Sequence, residues 1–269
     1  MNTKTAFTND ELLALLNKRY TLKQLTEALK STEKAIRNRL KTLGLSTKDF
    51  KLDETVFNTI DTEEKAYWLG FWFADGCINK NKSIELGLKY SDIGHLYKFC
   101  DFIKSDYSKV KVRKTMLNGK QFLSCRWATK RLALYSALIN KGCINRKSLI
   151  LKFPDLAIFK SKELVYHFIR GYIDGDGCLG IKTHKYKEPT LTLQVVGTFE
   201  FLSQMCSILH IDSNKLFHKD KKHPNSNTYS IFLTSDNALK TANLLYKNAT
   251  IYLDRKMKIY KFAVSQSNL

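Results

Sequence analysis

The sequence predicts an α+β protein in which one α/β unit occurs twice after a small all-α amino-terminal region. The duplication is directly visible, because WLGFWFADGCI at 68–78 is repeated as IRGYIDGDGCL at 169–179. The strand and helix patterns that follow each copy also occur in the same order. A third observation, several short helical patterns before residue 47, predicts the amino-terminal region.

Residues 1–46 are expected to form three short helices with polar caps. The candidate caps are Thr8, Thr21 and either Ser31 or Thr32, and Gly44 can end the third helix. Two short helices, a tight corner and a basic third helix are typical of a helix-turn-helix, whose third helix enters the major groove of DNA. The residues expected to contact DNA there are Thr32, Glu33, Lys34, Arg37 and Asn38. A small helical bundle that contacts another protein is the alternative.

The polar, aperiodic residues 47–62 predict a linker, and the two repeats are expected at 63–160 and 161–269. In each repeat the apolar segment precedes two strand patterns, a helix, two more strand patterns and a last helix. This predicts the order α-β-β-α-β-β-α. The stretch 109–113 alternates basic and apolar residues, as expected of a strand with one charged and one buried face.

The two apolar segments are expected to be helices that share a stripe of small residues and a terminal acid. The small residues, four positions apart, are Gly70 and Ala74 in the first segment and Gly171 and Gly175 in the second. Small side chains at i and i+4 let a partner backbone come unusually close. If the helices pack through these stripes, Asp75 and Asp176 lie side by side at one end of the interface.

Such a pair of acids predicts a bound cation. A helix C-terminus carries partial negative charge and two nearby carboxylates repel each other, and a divalent cation between them removes both penalties. Two acids, carbonyl groups at the helix ends and phosphate oxygens would form an all-oxygen site that suits Mg²⁺, with Mn²⁺ as an expected substitute. Two structural helices that end in Asp-Gly turns are the alternative.

At these residues the sequence resembles a known family. ADG in the first segment and GYIDGDG in the second resemble the paired motifs of LAGLIDADG homing endonucleases, and the resemblance covers about residues 63–262. It implies two pseudo-symmetric LAGLIDADG repeats whose antiparallel sheets bind DNA. The last acid of each motif is the metal ligand in the family, which implies that Asp75 and Asp176 are catalytic. The earlier acid is present as Asp174 but replaced by Phe73 in the first copy, so Asp174 is left out of this set.

The resemblance also implies a lysine near each acid. The matching positions are Lys147, in NRKS, and Lys256, in DRKM. A lysine there could orient the attacking water or stabilise charge on the phosphate. A solvated basic pair at a helix start is the alternative.

The DNA-binding sheets are expected to carry basic residues. These are Lys109, Lys111, Arg113 and Arg126 in the first repeat and Lys182 and Lys185 in the second, with His184, Lys187 and the stretch 218–223 close by. A two-stranded ribbon fits the major groove, and many of these lysines are expected to contact only phosphate. Because the two halves have diverged, the target is expected to be asymmetric and the chain to act as a monomer.

Composition supports a nucleic-acid partner. Lys and Arg number 45 against 25 Asp and Glu, a net charge of +20, which attracts polyanions. The apolar run 66–74 is too short to span a bilayer, and no signal-peptide pattern is present at the start, so a soluble intracellular protein without a membrane partner is expected. The six cysteines form no CxxC pair, which predicts free buried thiols.

Together these observations predict a site-specific double-strand DNA endonuclease that hydrolyses phosphodiester bonds with a divalent metal at a long target. Two alternatives remain open at this point. One is an RNA maturase that assists intron splicing, with intron RNA as its partner. The other is a DNA-binding regulator that keeps the fold and does not cleave.

Overall fold

A computed structural model of the chain describes residues 7–18, 20–45, 52–117, 119–183, 189–219, 222–223 and 225–267. The chain divides into two compact units, Met1–Glu54 with Leu88–Ala128, and Thr55–Gly87 with Thr129–Leu269. The repeat boundaries expected from the sequence remain predictions. Across the described residues, no helix combines the length and the apolar character needed to cross a membrane.

The helices and strands follow one another in a repeated order. The helices are α1 Asn9–Asn17, α2 Leu22–Ala28, α3 Glu33–Thr42, α4 Glu63–Asp75, α5 Ile93–Phe102, α6 Leu132–Asn140, α7 Glu163–Asp176, α8 Phe199–Leu209, α9 Ser235–Tyr246 and α10 Asp254–Ser267. The strands are β1 Gly76–Ile78, β2 Ile84–Lys89, β3 Val110–Leu117, β4 Lys120–Thr129, β5 Cys178–Lys182, β6 Thr190–Gly197, β7 Leu216–His218 and β8 Tyr229–Thr234. The order α-β-β-α-β-β-α runs from α4 to α6 and again from α7 to α9, and α10 follows the second copy.

The strands form two four-stranded sheets of the same topology. Their orders are β1-β2-β4-β3 and β5-β6-β8-β7. The pairs β1–β2, β3–β4, β5–β6, β6–β8 and β7–β8 are antiparallel. The second order is the first one repeated, since each sheet places its third strand at the edge beyond its fourth. The predicted α+β class and the duplicated unit are therefore confirmed.

The amino-terminal helices begin where their caps predict. Thr8, Thr21 and Thr32 each accept a backbone N–H from the first turn of the helix that follows. Gly44 lies just beyond α3 with φ +67°, a conformation that favours glycine. A separate small core holds the three helices together, formed by Phe7, Leu12, Leu16, Leu25, Ile36 and Leu40.

The expectation for residues 109–113 is wrong in two respects. Lys109 lies in a 3-10 turn, Tyr107–Lys109, and the strand begins at Val110. Val112, expected to be buried, is 49% exposed, and Met116 farther along β3 is 65% exposed. The far part of the β3–β4 ribbon thus lies outside the core, where alternation of residue types no longer reports burial.

Two smaller expectations also need correction. Residues 47–51 of the predicted linker lie outside the described residues, but its end is packed: Phe57 and Ile60 are buried, and Ile60 forms a parallel bridge with Phe159. All six cysteines are free thiols as expected, but Cys77 and Cys178 are exposed. Each lies two residues after a motif aspartate, at the start of a sheet, where alternate side chains turn outward.

Candidate active site

Helices α4 and α7 pack against each other through their glycines. A β-carbon built on Gly70 would lie 1.9 Å from the carbonyl oxygen of Phe168, and one on Gly171 would lie 1.9 Å from the carbonyl oxygen of Tyr67. Both distances are far inside van der Waals contact. The two backbones therefore touch at these positions, and glycine is required at both.

The second small pair brings the acids close together. A β-carbon on Gly175 would lie 2.3 Å from Cβ of Ala74 and 3.1 Å from Oδ2 of Asp75. Helix α4 ends at Asp75 and α7 ends at Asp176, immediately after Gly175. The carboxylate of Asp75 thus lies against the last turn of α7, beside the other acid.

The environment of the two acids opposes their ionisation. Burial, and then the negative charge of Asp176, raise the pKa of Asp75 from 3.8 to about 7, although the ammonium groups of Lys147 and Lys256 act in the opposite direction. Asp176 reaches the surface, and removal of water by the surrounding protein still raises the pKa of its carboxyl. Two carboxyl groups with raised pKa values at one place are typical of a functional site.

This shift gives a pH dependence of stability in metal-free protein. The unfolded chain releases the Asp75 proton near 3.8 and the folded chain near 7, so between these values the folded state holds more protons. The free energy of unfolding should therefore fall as pH rises, by at most about 1.4 kcal/mol per pH unit, and by less because water reaches part of the carboxylate. Asp75→Asn should flatten this dependence and be more stable than the original chain at pH 8. Urea unfolding at pH 5 and pH 8 in EDTA measures it, and equal slopes for both proteins would refute the assignment.

Each lysine binds the end of one acid-bearing helix. Nζ of Lys147 donates to the carbonyl oxygens of Trp72, Ala74 and Gly76, at 3.1 Å for Trp72 and 2.7 Å for Gly76. An ammonium group has three N–H donors, so all three are engaged. They neutralise the negative end of α4, next to Asp75.

Lys256 makes the corresponding contacts at the end of α7. Its Nζ donates to the carbonyl oxygens of Ile173 at 2.5 Å, Asp174 at 2.8 Å and Gly177 at 2.5 Å. Lys256 is fully buried, which rules out the solvated alternative, and burial lowers its pKa to about 8. Lys147 lies in a 3-10 turn, Lys147–Leu149, whereas Lys256 lies in α10, so different local structures deliver the two ammonium groups.

Asp174, which sequence reasoning set aside, is the centre of a buried polar cluster. Its carboxylate accepts hydrogen bonds from the hydroxyls of Tyr67 at 2.8 Å and Tyr246 at 2.6 Å, and from the backbone N–H of Leu253 at 2.7 Å. The cluster joins α4, α7, α9 and the start of α10, and so fixes the helix that carries Lys256. The sequence does mark Asp174, because it is the earlier acid of the second motif. Phe73, at the same place in the first repeat, packs on aromatic rings instead.

The opposite end of the helix pair is fixed by a buried arginine. Arg170 donates to Glu63 at 2.6 Å and to the carbonyl oxygens of Leu245 and Ile251. Glu63 lies in the first turn of α4, and its carboxylate also accepts the backbone N–H of Thr250. The interface is thus held by polar contacts at the far end, which keeps α4 and α7 in register at the acids.

Three of the basic residues predicted for the first sheet share one face of the β3–β4 ribbon. Lys111 pairs directly with Arg126, and Arg113 pairs with Ser124. The opposite face carries Trp127, which is buried. Lys109 is exposed just before β3. The structure therefore gives this ribbon a basic face turned away from the core.

In the second sheet the predicted residues are only partly described. Lys182 is exposed at the end of β5. Lys185 lies outside the described residues, as do His184 and Lys187. Thr192, Gln194 and Phe232 lie on the same outward face as Lys182, and none of them carries the positive charge from which the other residues were predicted.

The residues predicted on the third helix are exposed. Lys34, Arg37 and Asn38 lie on the open side of α3, with Arg37 3.7 Å from Glu33. Arg39, farther along α3, donates to Asn9 at 3.0 Å and lies over the ring of Phe7. It holds α3 to the rest of the small core.

The duplicated αββαββα unit with touching, acid-terminated helices defines the LAGLIDADG fold in its single-chain, two-repeat form. The homing endonuclease I-WcaI, solved bound to its DNA recognition sequence, is 18% identical, with a TM-score of 0.53 over 82% of this chain and 98% of that chain. The LAGLIDADG meganuclease I-AabMI, bound to uncleaved DNA, is 12% identical (TM-score 0.48, 75% of this chain and 90% of that chain). The LAGLIDADG homing endonuclease I-GzeII, in complex with its DNA target, is 11% identical (TM-score 0.46, 76% and 92%).

No protein-family model matches the sequence, and no curated protein matches it. At 18% identity the likeness establishes the fold. The activity therefore has to be argued from the residues of this chain.

Proposed function

We propose that this protein is a site-specific double-strand DNA endonuclease that hydrolyses phosphodiester bonds with a divalent metal at a long, asymmetric target. The observation that supports it most is the meeting of Asp75 and Asp176 at the ends of two helices whose backbones touch. A structural role alone does not require two acids there, since their proximity costs free energy without a cation.

The donor set fits Mg²⁺. Among the described residues no group of three or more His, Cys, Asp or Glu side chains could hold a metal, so the protein would offer the two carboxylates of Asp75 and Asp176. Mg²⁺ commonly binds through one or two carboxylates, with water and substrate phosphate as its other ligands. A cavity of about 280 Å³ adjoins Asp176 and Lys147, which is room for several waters. Mn²⁺ is the expected substitute.

The expected role of the carbonyl groups at the helix ends changes. Carbonyl groups at the helix ends were expected to help bind the metal, but six of them accept hydrogen bonds from the two lysines. We therefore assign Lys147 and Lys256 as positioning residues. They hold the last turns of α4 and α7 and place positive charge beside the acids, which favours the ionised carboxylates that a cation needs.

A bound divalent cation would activate water and neutralise charge on the scissile phosphate. The chain itself would hold the two carboxylates in place through the α4–α7 contact. Affinity for DNA would come from the net charge of +20 and the outward sheet faces. Because both repeats belong to one polypeptide, a monomer would carry the complete site.

The direct test is a cleavage assay on DNA of the protein's own genomic neighbourhood. With Mg²⁺ we expect cuts in both strands at one place, and with EDTA we expect binding without cuts. Site-specific binding without cleavage in Mg²⁺ and in Mn²⁺ would favour a DNA-binding regulator instead. Selective binding to intron RNA over duplex DNA would favour a maturase.

We also propose that the helix-turn-helix is a second DNA contact. Lys34, Arg37 and Asn38 share the exposed side of α3, the helix that such modules insert into the major groove. The triple variant Lys34→Ala, Arg37→Ala, Asn38→Ala should shorten the protected DNA footprint on one side and leave cleavage in place. Lys18→Ala, which removes an exposed charge at the end of α1, is the control and should keep the full footprint. A full footprint for the triple variant would reject this role.

A further inference from the structure

The outward face of the second sheet carries little charge. Leu191, Leu193 and Val195 of β6 are buried, so Thr192 and Gln194 between them point the other way. By strand pairing, this face comprises Cys178, Gly180, Lys182, Thr190, Thr192, Gln194, Val196, Phe217, Ser230, Phe232 and Thr234. Lys182 is the one charged residue among these described strand positions. A DNA-binding face of this kind cannot rely on phosphate contacts alone.

This face begins at the candidate active site. Strand β5 starts at Cys178, two residues after Asp176, and Cys178 is exposed and pairs with Gln194. Gln194 in turn pairs with Phe232 of β8. DNA held at Asp176 would therefore lie along this face, with Gln194 one strand away from the acid-bearing segment.

Gln194 is arranged to present its amide. Its Nε2 donates to Oγ of Ser230 at 3.1 Å, and Ser230 is fully buried. This contact uses one N–H of the amide and leaves the second N–H and Oε1 able to form further hydrogen bonds. A glutamine amide pairs with adenine, accepting from N6 and donating to N7.

The neighbours of Gln194 suit thymine. The hydroxyl of Thr192 donates to the carbonyl oxygen of Gly180 at 3.2 Å, so the methyl group is the part of this side chain left for an apolar contact. Phe232 and Phe217 are 41% and 46% exposed on the same face. Methyl groups and phenyl rings contact the C5-methyl group of thymine.

The basic face of the β3–β4 ribbon has a different chemistry. Arg113 and Arg126 project from it, with Lys111 directly across from Arg126. A guanidinium group donates two parallel hydrogen bonds to O6 and N7 of guanine, the commonest specific contact in the major groove. The two sheets thus offer different sets of groups to DNA.

We propose that the two halves of the target differ in base composition. The face of β5, β6 and β8 reads an A·T-rich segment through Gln194, Thr192 and Phe232, and the β3–β4 ribbon reads guanines through Arg113 and Arg126. The inference rests on the proposed function, because it names the DNA that the same surface binds.

The test is selection of the full-length protein on randomised DNA duplexes in EDTA, so that binding is measured without cleavage. We expect one side of the enriched sequences to be A·T-rich and the other to contain fixed guanines. Gln194→Ala should remove the preference for adenine at one position of the A·T-rich side, with a loss of roughly 5- to 150-fold on the preferred base. Arg113→Ala should act only on the guanine side.

Gln194→Glu is the sharper variant, because a carboxylate accepts from N4 of cytosine and should switch the preferred base from adenine to cytosine. A misfolded protein cannot gain a new preference. The control Lys182→Ala should weaken binding to all sequences alike and lower the salt dependence by about one phosphate contact.

Two results would overturn the inference: the same base composition on both sides, or an unchanged profile for both Gln194 variants. In either case the protein would still select specific duplexes, and the nuclease proposal would stand. Enrichment of no duplex at all would reject both.

Discussion

Replacing either Asp75 or Asp176 by asparagine is expected to abolish strand cleavage and to leave DNA binding largely intact. Each change replaces one of the two negatively charged carboxylates that a divalent cation would need by a neutral amide, so the loss in rate should be at least about a thousand-fold. The fold should tolerate Asp75→Asn, since burial already raises the pKa of that carboxyl to about 7 and a neutral side chain suits the place. Cleavage of supercoiled DNA carrying the target, with binding measured in parallel, gives both readouts.

Asp236→Asn is the matched control for these variants. Asp236 is exposed in the first turn of α9, and the substitution makes the same chemical change away from the site. We expect it to cleave as the original chain does. Cleavage that persists in both single variants of the motif acids would mean that the catalytic assignment is wrong.

Gly171→Ala is expected to have the largest effect on stability. Its β-carbon would lie 1.9 Å from the carbonyl oxygen of Tyr67, and a backbone atom cannot move aside as a flexible side chain could. Helices α4 and α7 would have to separate, which would strain the Asp174 cluster and spread the two acids. We expect a loss of about 3 kcal/mol or more in the free energy of unfolding, at the upper end of overpacking substitutions.

Gly94→Ala is the control for this prediction. Gly94 lies in α5 with no atom within 4 Å of the added carbon. Because alanine favours helix over glycine, this variant should gain up to about 1 kcal/mol. Urea unfolding of the two variants measures the difference. Similar stabilities would show that the helices do not meet at Gly171.

Local features of the fold could be predicted because they depend on neighbours in sequence. Thr8, Thr21 and Thr32 cap their helices through bonds to residues three positions away, and a threonine before an apolar pattern is enough to predict this. The contact between the two motif helices could also be predicted, from the glycines within each helix. Gly70 and Gly171 carry an unfavourable helix propensity, which indicates a close packing partner.

Other features depend on contacts between distant residues. The carboxylate of Asp174 accepts from Tyr67 and Tyr246, which are far away in sequence and carry no pattern that marks them as partners. The lysines were predicted near the acids, but not their bonds to backbone carbonyls. Gln194 was not among the predicted residues, because basic residues indicate phosphate binding, whereas the base edge that we propose for Gln194 can be read by a neutral amide.

The most direct test of the central claim is a crystal of the protein grown with Mn²⁺ and measured for anomalous scattering. If Asp75 and Asp176 share a cation, the strongest anomalous peak will lie within coordination distance of a carboxylate oxygen from each, about 2.0–2.2 Å for a small divalent ion. Soaking the crystal in EDTA should remove the peak. A metal bound by only one of the two acids, or at a different place in the molecule, would contradict a shared site.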